Sequence, residues 1–215
     1  VAQLTLLERL SLSDNRIHGT LPESIYGMTK LTRLDAEGNL LSGSISASLG
    51  NLTKLTWIGL EDNQLTGSIP AGITGLTQLQ RAYLGTNKLS GSIPTDMGAL
   101  QSLRFFLTTS NRLTGTIPES LGYIPALQVL DLGANQLEGS IPSSLGQAKK
   151  LQLLSLGANR LNGTLPKELG NLKTVFMLDV EDNFLTGPIP SEFSGLTGTL
   201  FLTLTNNRLS GQLPP

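Results

Sequence analysis

Residues 127–142 read Leu127-Gln-Val-Leu130-Asp-Leu132-Gly-Ala-Asn135-Gln-Leu137-Glu-Gly139-Ser-Ile141-Pro142, and this stretch decides the fold. Its pattern, L-x-x-L-x-L-x-x-N-x-L-x-G-x-I-P, returns every 24 residues along the chain. The Asn recurs nine times, at Asn15, Asn39, Asn63, Asn87, Asn111, Asn135, Asn159, Asn183 and Asn207. A fixed period of this length is the signature of a repeat solenoid and outranks any local assignment of secondary structure. The sequence therefore predicts one array of about nine 24-residue repeats over residues 1–215.

The first half of each repeat has the alternation of a short strand. Leu130 and Leu132 are two residues apart, so in an extended chain both point into the core, while Val129 and Asp131 point outward. Copies stacked about 4.8 Å apart would form one parallel sheet over a continuous core. We therefore expect these core positions to be buried: Leu10, Leu12, Leu60, Leu84, Leu130, Leu132, Leu154 and Leu156.

The recurring Asn stands where the chain turns away from the sheet. Such a turn leaves buried backbone N–H and C=O groups without partners, which is unfavourable unless something hydrogen-bonds them. A side-chain amide supplies two donors and an acceptor. We predict that the nine residues, called the asparagine ladder below, tie each turn to its neighbour and are not ligands for a partner.

The second half of each repeat carries turn signals. Gly139 permits a bend or a close backbone approach, and Pro142 suits the first position of a short helical turn. Leu145 then points back into the core, which predicts a short 3-10 turn. The L-x-G-x-I-P half resembles the plant-type leucine-rich repeat, and L-x-x-L-x-L-x-x-N is common to leucine-rich repeats in general. The resemblance covers essentially the whole chain.

The resemblance implies a fold and a function. The fold is a repeat solenoid of the α/β leucine-rich repeat class, mostly β with short 3-10 turns. It is a curved right-handed solenoid with one parallel sheet on its concave face. The chain looks like the extracellular repeats of plant receptor-like proteins and receptor kinases, which bind peptides, other proteins or co-receptors. Function in solenoids depends on the variable positions, so the repeat alone names no ligand.

Composition argues against several other functions. Only 14% of the residues are charged and the formal net charge is −1, so no basic field attracts nucleic acid or anionic lipid. No apolar run approaches the roughly 18 residues that a membrane span needs. The chain has one histidine, His18, and no cysteine, which leaves no credible catalytic triad or zinc site. We expect neither an enzyme nor a cofactor.

Two glutamates on adjacent strands, Glu37 and Glu61, are the strongest candidates for carboxylate chemistry, with Asp35 beside them. Glycoside hydrolysis requires two carboxylates at a set separation. The preferred interpretation is a solvated acidic patch whose charge is offset by Arg33 and Arg81.

Outward sheet positions predict the binding surface. The column two residues after each leading leucine turns apolar from Phe105 onward, and the next column adds Tyr83 and Leu107. Apolar patches with aromatic and arginine rims are typical of interaction surfaces. The expected partner-binding residues of the concave face are Trp57, Arg81, Tyr83, Phe105, Leu107, Val129, Leu153, Met177 and Phe201.

The return path contains two further features. Hydroxyl residues flank glycine in successive repeats, as in Ser42-Gly-Ser44, Thr66-Gly-Ser68 and Thr114-Gly-Thr116. Such rows resemble the ice-facing arrays of some antifreeze solenoids, although Glu138, Asn162 and Pro188 interrupt them. Two N-x-[ST] sequons mark Asn51 and Asn162 as possible N-glycosylation sites.

The absence of cysteine departs from the family, whose ectodomains usually carry paired cysteines in terminal caps. One interpretation is an intracellular protein, and the other is that the caps lie outside this sequence. The ends favour the second, because the chain opens inside a repeat at Val1-Ala-Gln-Leu4 and stops inside another at Leu213-Pro214-Pro215. We therefore expect a segment of a longer protein, with any transmembrane helix outside it and no membrane contact by the segment itself.

The function predicted from these observations is non-catalytic recognition of a protein or peptide by the concave face of a cell-surface or secreted receptor-like protein. One alternative is an inhibitor of a cell-wall-degrading enzyme, like the polygalacturonase-inhibiting proteins. Another is a structural subunit of a larger assembly, and ice binding is a remote fourth. No nucleic-acid partner is expected.

Overall fold

The computed structural model describes residues 4–214 and contains a nine-stranded parallel sheet whose strand order follows the chain. Each repeat contributes one three-residue strand. The strands are Arg9–Ser11, Arg33–Asp35, Trp57–Gly59, Arg81–Tyr83, Phe105–Leu107, Val129–Asp131, Leu153–Ser155, Met177–Asp179 and Phe201–Thr203. The predicted solenoid and its single parallel sheet are confirmed. Residues 1–3 and 215, which belong to the predicted incomplete terminal repeats, lie outside the described part.

Neighbouring strands pair residue i with residue i+24, as in Leu130 with Leu154 and Asp131 with Ser155. This register places identical repeat positions in straight columns across the sheet. One continuous hydrophobic cluster extends beneath it from Leu21 to Leu196. Burial is confirmed for the predicted core residues of the central repeats, namely Leu60, Leu84, Leu130, Leu132, Leu154 and Leu156.

The prediction was wrong for the first repeat, where Leu10 and Leu12 are only partly buried. The strand Arg9–Ser11, which contains Leu10 and ends just before Leu12, pairs on one side only, with Arg33–Asp35. A core residue in a solenoid is covered by the repeats on both sides of it. Leu10 and Leu12 have such a cover on one side within the described residues.

The asparagine ladder has the predicted role. The Asn135 Nδ2 group lies 3.0 Å, 3.1 Å and 3.0 Å from the carbonyl oxygens of Thr108, Leu132 and Gly133. Its Oδ1 accepts a hydrogen bond from the Leu113 N–H at 2.9 Å. One side chain thus joins its own turn to the turn of the preceding repeat.

The return path forms the second strand and the 3-10 turn that the sequence predicts. The second strands are His18–Thr20, Leu40–Ser44, Gln64–Thr66, Ser90–Gly91, Arg112–Leu113, Glu138–Gly139, Arg160–Leu161, Thr186–Gly187 and Arg208–Leu209. The 3-10 helices are Glu23–Gly27, Ala47–Asn51, Ala71–Gly75, Met97–Ala99, Glu119–Tyr123, Ser143–Gln147, Lys167–Asn171 and Ser191–Gly195. Across residues 4–214, these helices are too short to cross a membrane.

Two details of the return path refine the prediction. Pro142 lies one residue earlier than expected, as the N-cap of its turn, with φ −65° and ψ 129°. Gly139 has a φ of +77°, and a Cβ there would lie 2.9 Å from the Thr116 Cγ2 atom. The glycine therefore supplies both a left-handed backbone and room for the hydroxyl residue of the preceding repeat.

Candidate functional site

All nine residues expected to bind a partner lie on the outward side of the main sheet. The strand register aligns seven of them in one row that crosses seven neighbouring strands. Tyr83 and Leu107 belong to the next row, two residues further along their strands. Their side chains are partly exposed, and Phe201 reaches 58% exposure. Because the alternate residues of each strand fill the core, these side chains are free of any packing role inside the solenoid. We call this surface the concave face.

The amino-terminal half of the concave face contains a cluster of aromatic and arginine side chains. The Arg33 guanidinium lies 3.8 Å and the Arg81 guanidinium 4.8 Å from the centre of the Trp57 ring. Arg81 also lies 5.1 Å from the Phe105 ring, so it is held between two aromatic faces. Tyr83 meets Trp57 edge-on, with ring centres 5.0 Å apart. Cation–π and edge-to-face contacts of this kind fix orientation, so the cluster is preorganised.

Trp57 carries an unusual polar atom. Its Nε1 group is inaccessible to solvent and has no hydrogen-bond partner within the described residues. An unpartnered buried donor is unfavourable and uncommon in folded proteins. The atom belongs to a ring that Arg33, Arg81 and Tyr83 all contact.

The prediction that Asp35 belongs to a solvated acidic patch was wrong, because this residue is only 6% exposed. Its Oδ2 pairs with the Arg33 guanidinium at 2.6 Å, and its Oδ1 accepts a hydrogen bond from the Ser13 hydroxyl at 2.6 Å. Burial raises the pKa of Asp35, but the hydrogen bonds from Ser13 and Arg33 and the charge of Arg33 lower it overall. Asp35 is a structural partner of Arg33 and is not available to substrate.

Glu37 and Glu61 remain on the surface but are only half-exposed. Burial raises the pKa of Glu37, and the charges of Asp35 and Glu61 raise it further. Burial also raises the pKa of Glu61, with added repulsion from Asp131 and Asp62. Within residues 4–214, no three acidic or histidine side chains converge as metal ligands would.

The carboxyl-terminal half of the concave face differs in character. Val129, Leu153 and Met177 form an apolar row in register. The next row contains Asp131, Ser155 and Asp179 on the same three strands. This half thus presents an apolar row and an acidic row side by side.

Sequence reasoning missed two exposed apolar residues next to this row. Phe176 is 38% exposed and Leu200 is 76% exposed, and each precedes its strand by one residue. The corresponding residues of the five preceding repeats are polar: Thr56, Gln80, Arg104, Gln128 and Gln152. The change from polar to apolar residues in this column was the signal that could have revealed them.

The two sequons lie away from the concave face. Asn51 ends the 3-10 helix Ala47–Asn51, and Asn162 follows the second strand Arg160–Leu161. Both side chains are exposed. Their glycosylation stays a prediction, and glycans at these positions would leave the sheet surface open.

Family comparison identifies the repeat. Leucine-rich repeat family models match residues 5–65 and, separately, residues 126–148, 150–172 and 175–196, together more than half of the chain. The chain belongs to the leucine-rich repeat family. Its L-x-G-x-I-P half and its solved structural relatives make it a plant-type leucine-rich repeat protein.

Several solved relatives of this leucine-rich repeat chain are plant receptor ectodomains. One is the ectodomain of the receptor kinase GASSHO1/SCHENGEN3 from Arabidopsis thaliana in complex with CASPARIAN STRIP INTEGRITY FACTOR 2. It is 36% identical with a TM-score of 0.93, and the match covers 94% of this chain and 24% of that one. Another is the Arabidopsis receptor kinase HAESA in complex with the peptide hormone IDA and the co-receptor SERK1. It is 35% identical with a TM-score of 0.95, and the match covers 99% of this chain and 36% of that one.

A relative of a different kind is a plant ice-binding protein. It is 28% identical with a TM-score of 0.88, and the match covers all of this chain and 69% of that one. The leucine-rich repeat chain spans only about a quarter to a third of the two receptor ectodomains. The comparison with curated proteins gave no match.

Proposed function

We propose that the chain is the ligand-binding repeat region of a receptor-like protein and that its concave face binds a peptide or a protein segment. The observation that carries the proposal is the continuous row of partly exposed apolar side chains on five successive strands. The row consists of Phe105, Val129, Leu153, Met177 and Phe201.

The chemistry of the face supports side-chain recognition. Backbone groups within the sheet already pair with neighbouring strands, so a ligand finds few free backbone partners there. Binding energy must then come from apolar burial and from the oriented Arg81, Tyr83 and Trp57 groups. Tryptophan, tyrosine and arginine are the residue types most enriched at energetic hot spots. The similarity to receptor ectodomains solved with peptide ligands supports the same assignment.

A peptide selection tests the proposal. Random peptides displayed on phage are selected against the immobilised 215-residue chain, and synthetic copies of the winners are titrated by calorimetry. Phe105→Ala and Met177→Ala should each weaken binding by about 30-fold, the equivalent of a hot-spot loss of roughly 2 kcal/mol.

Matched controls lie on the 3-10 turns, away from the face. Ser143→Ala and Glu168→Ala should leave the affinity unchanged, since both residues belong to the turns Ser143–Gln147 and Lys167–Asn171. If the two control variants lose binding while Phe105→Ala and Met177→Ala retain it, the concave face is the wrong surface.

The same proposal places the protein outside the cell or at the cell surface. Support comes from the extracellular receptor domains among its relatives and from the two exposed sequons. Expression in a secretory host should add glycan mass that Asn51→Gln and Asn162→Gln remove. A secreted protein of unmodified mass would count against both sequons.

The inhibitor alternative predicts a different ligand. An inhibitor of a cell-wall-degrading enzyme would bind a folded polygalacturonase and reduce its rate, whereas a peptide receptor would not. An inhibition assay with that enzyme therefore separates the two.

Ice binding is a second candidate because the row of hydroxyl residues on the return path is exposed and the ice-binding relative matches the whole chain. The exposed members include Ser44, Thr66, Ser68, Ser92, Thr114, Thr116, Ser140 and Thr164. If this row contacts ice, Thr116→Asp should abolish thermal hysteresis while Leu153→Asp on the concave face should not. Absence of thermal hysteresis in the parent chain would eliminate the candidate.

A further inference from the structure

The acidic row of the concave face is unusually well fixed. The Asp131 Oδ1 atom accepts a hydrogen bond from the Gly133 N–H at 3.1 Å, and the Asp179 Oδ1 atom accepts one from the Glu181 N–H at 3.0 Å. Between them, the Ser155 hydroxyl donates to the Asp179 Oδ2 atom at 3.3 Å. The three residues pair in register on successive strands. The two carboxylates therefore have defined positions before any ligand arrives.

Two buried glycines lie against these carboxylates and leave room for them. A Cβ atom at Gly157 would lie 2.8 Å from the Asp179 Oδ2 atom, and one at Gly133 would lie 3.3 Å from the Asp131 Oδ1 atom. Side chains at these positions would displace the carboxylates. The glycines thus let the carboxylates keep their positions on the concave face, in the row beside Val129, Leu153 and Met177.

The acidic row has no cation of its own. Among residues 4–214 the only ion pair is the one between Arg33 and Asp35, at the other end of the face. Burial raises the pKa of Asp131 by more than its hydrogen bonds lower it, and the charge of Asp179 adds to the rise. Two fixed carboxylates without a counter-charge favour a cationic partner.

Spacing restricts the shape of that partner. Asp131 and Asp179 are two strands apart, which is about 9.6 Å at ordinary strand spacing. In an extended β peptide, side chains on one side recur every 6.8 Å or so, which does not match. A polyproline II helix has three residues per turn and a rise of about 3.1 Å, so residues i and i+3 share a side roughly 9.3 Å apart.

We propose that the carboxyl-terminal half of the concave face binds a polyproline II segment that carries arginine or lysine at positions i and i+3. The cations pair with Asp131 and Asp179, and the prolines between them pack on Val129, Leu153 and Met177. Arginine fits better than lysine because its planar group meets a carboxylate with two parallel hydrogen bonds. The inference rests on the proposed peptide-binding function and names the class of peptide.

Three synthetic peptides of equal length test it by calorimetry with the 215-residue chain. The first carries Arg-Pro-Pro-Arg, the second places the two arginines two residues apart, and the third carries Glu-Pro-Pro-Glu. We expect the first to bind at least ten-fold more tightly than the other two, with an affinity that falls as salt is added. Equal affinity for the first and second peptides, or binding of the glutamate peptide, would overturn the proposal.

Protein variants locate the binding to the acidic row. Asp131→Asn and Asp179→Asn keep the oxygen that accepts the backbone hydrogen bond but remove the charge, and each should weaken the Arg-Pro-Pro-Arg peptide about ten-fold. Glu168→Gln is the matched control, because this carboxylate belongs to a 3-10 turn on another surface. Unchanged affinity in both Asn variants overturns the inference. If library peptides still require Phe105 and Met177 but contain no paired cations, this inference fails while the proposed function stands.

Discussion

Each turn out of the sheet is held by the side-chain amide of one ladder asparagine. The first asparagine of the ladder shows how much of this hydrogen bonding requires a preceding repeat. Asn135 contacts carbonyls of its own repeat and of the preceding one, and its oxygen accepts from Leu113. Among the hydrogen bonds of residues 4–214, the exposed Asn15 side chain contacts only the carbonyl oxygens of Leu12 and Ser13, within its own repeat. The same residue type therefore has two different environments in one chain.

Substitution of these residues should separate the two environments. Asn135→Ala should lower the free energy of unfolding by roughly 1–3 kcal/mol, because buried backbone groups lose their partners. Asn15→Ala should change it by less than about 0.5 kcal/mol, as expected for an exposed position. Chemical denaturation of both variants beside the parent provides the measurement, and equal losses would show that the bonds between repeats add nothing.

Asp131 and Asp35 occupy the same sheet column, and their pKa values shift in opposite directions. The raised pKa of Asp131 means that the folded state disfavours its charge, so stability is greatest below its ordinary pKa of 3.8 and falls as the pH rises through the raised value. Asp131→Asn should therefore stabilise the protein at pH 7, and this gain should vanish in acid. Thermal unfolding from pH 3 to pH 7 measures the difference.

Asp35 is the internal control for that experiment. Its lowered pKa means that its charge stabilises the fold above pH 3.8, and that this stability is lost as the pH falls through the lowered value. Asp35→Asn should destabilise the protein at pH 7 and have little effect in strong acid. Parallel pH profiles for the two variants would contradict both assignments.

At the scale of elements, the 3-10 turns are packed unevenly. In the turn Ser143–Gln147, a Cβ on Gly146 would collide with the carbonyl of Glu168 in the next turn. In the turn Glu23–Gly27, a Cβ on Gly27 would meet nothing within 4 Å. Glycine is thus required where turns are in close contact and is replaceable where they are not.

An alanine pair tests this difference. Gly146→Ala should destabilise the protein by about 1–3 kcal/mol, the usual range for overpacking a tight contact. Gly27→Ala should be neutral or slightly stabilising, because alanine reduces the freedom of the unfolded chain without a clash. The unfolding midpoint of each variant in guanidinium measures the effect, and a loss in Gly27→Ala equal to that in Gly146→Ala would refute the packing argument.

The repeat period predicts every strand and every 3-10 turn because each occupies a fixed place in the 24-residue unit. Other features depend on geometry that the period does not encode. The residue before each ladder asparagine has a positive φ, including 50° at Ala134 and 46° at Thr86, which are not residue types that favour this region. Thr108 is fully buried with an unpartnered hydroxyl where most repeats have an aliphatic residue.

The candidate site was predictable in position but not in detail. Alternation within each strand indicates which residues face outward, so the row from Trp57 to Phe201 could be inferred from the sequence. The stacking of Arg81 on two rings and the withdrawal of Asp35 into an ion pair could not. Both depend on long side chains that reach from one row of the sheet to the next. The repeat pattern indicates the row of each residue but not the rotamer of its side chain.

At the scale of the whole molecule, protection should vary along the solenoid. Leu130 and Leu132 are completely buried, whereas Leu10 in the first strand, Leu12 just after it and Leu202 in the last strand are partly exposed. Amide hydrogen exchange should therefore be slowest in the strands from Trp57–Gly59 to Leu153–Ser155 and faster in Arg9–Ser11 and Phe201–Thr203. Uniform protection over all nine strands would instead indicate that the chain opens only as a single unit.

The asparagine ladder also has a consequence for how such a chain can change its length. Each ladder asparagine after Asn15 bonds to backbone groups of the preceding repeat. The hydrogen bonds are therefore kept when one whole 24-residue repeat is duplicated or deleted. An insertion of another size within the strand-to-turn segment would leave two adjacent units without their shared bonds. Adding or removing a whole repeat therefore preserves the hydrogen bonds of the fold. It changes only which outward residues are neighbours on the sheet. New combinations of the concave face can arise by recombination between units while the scaffold stays intact.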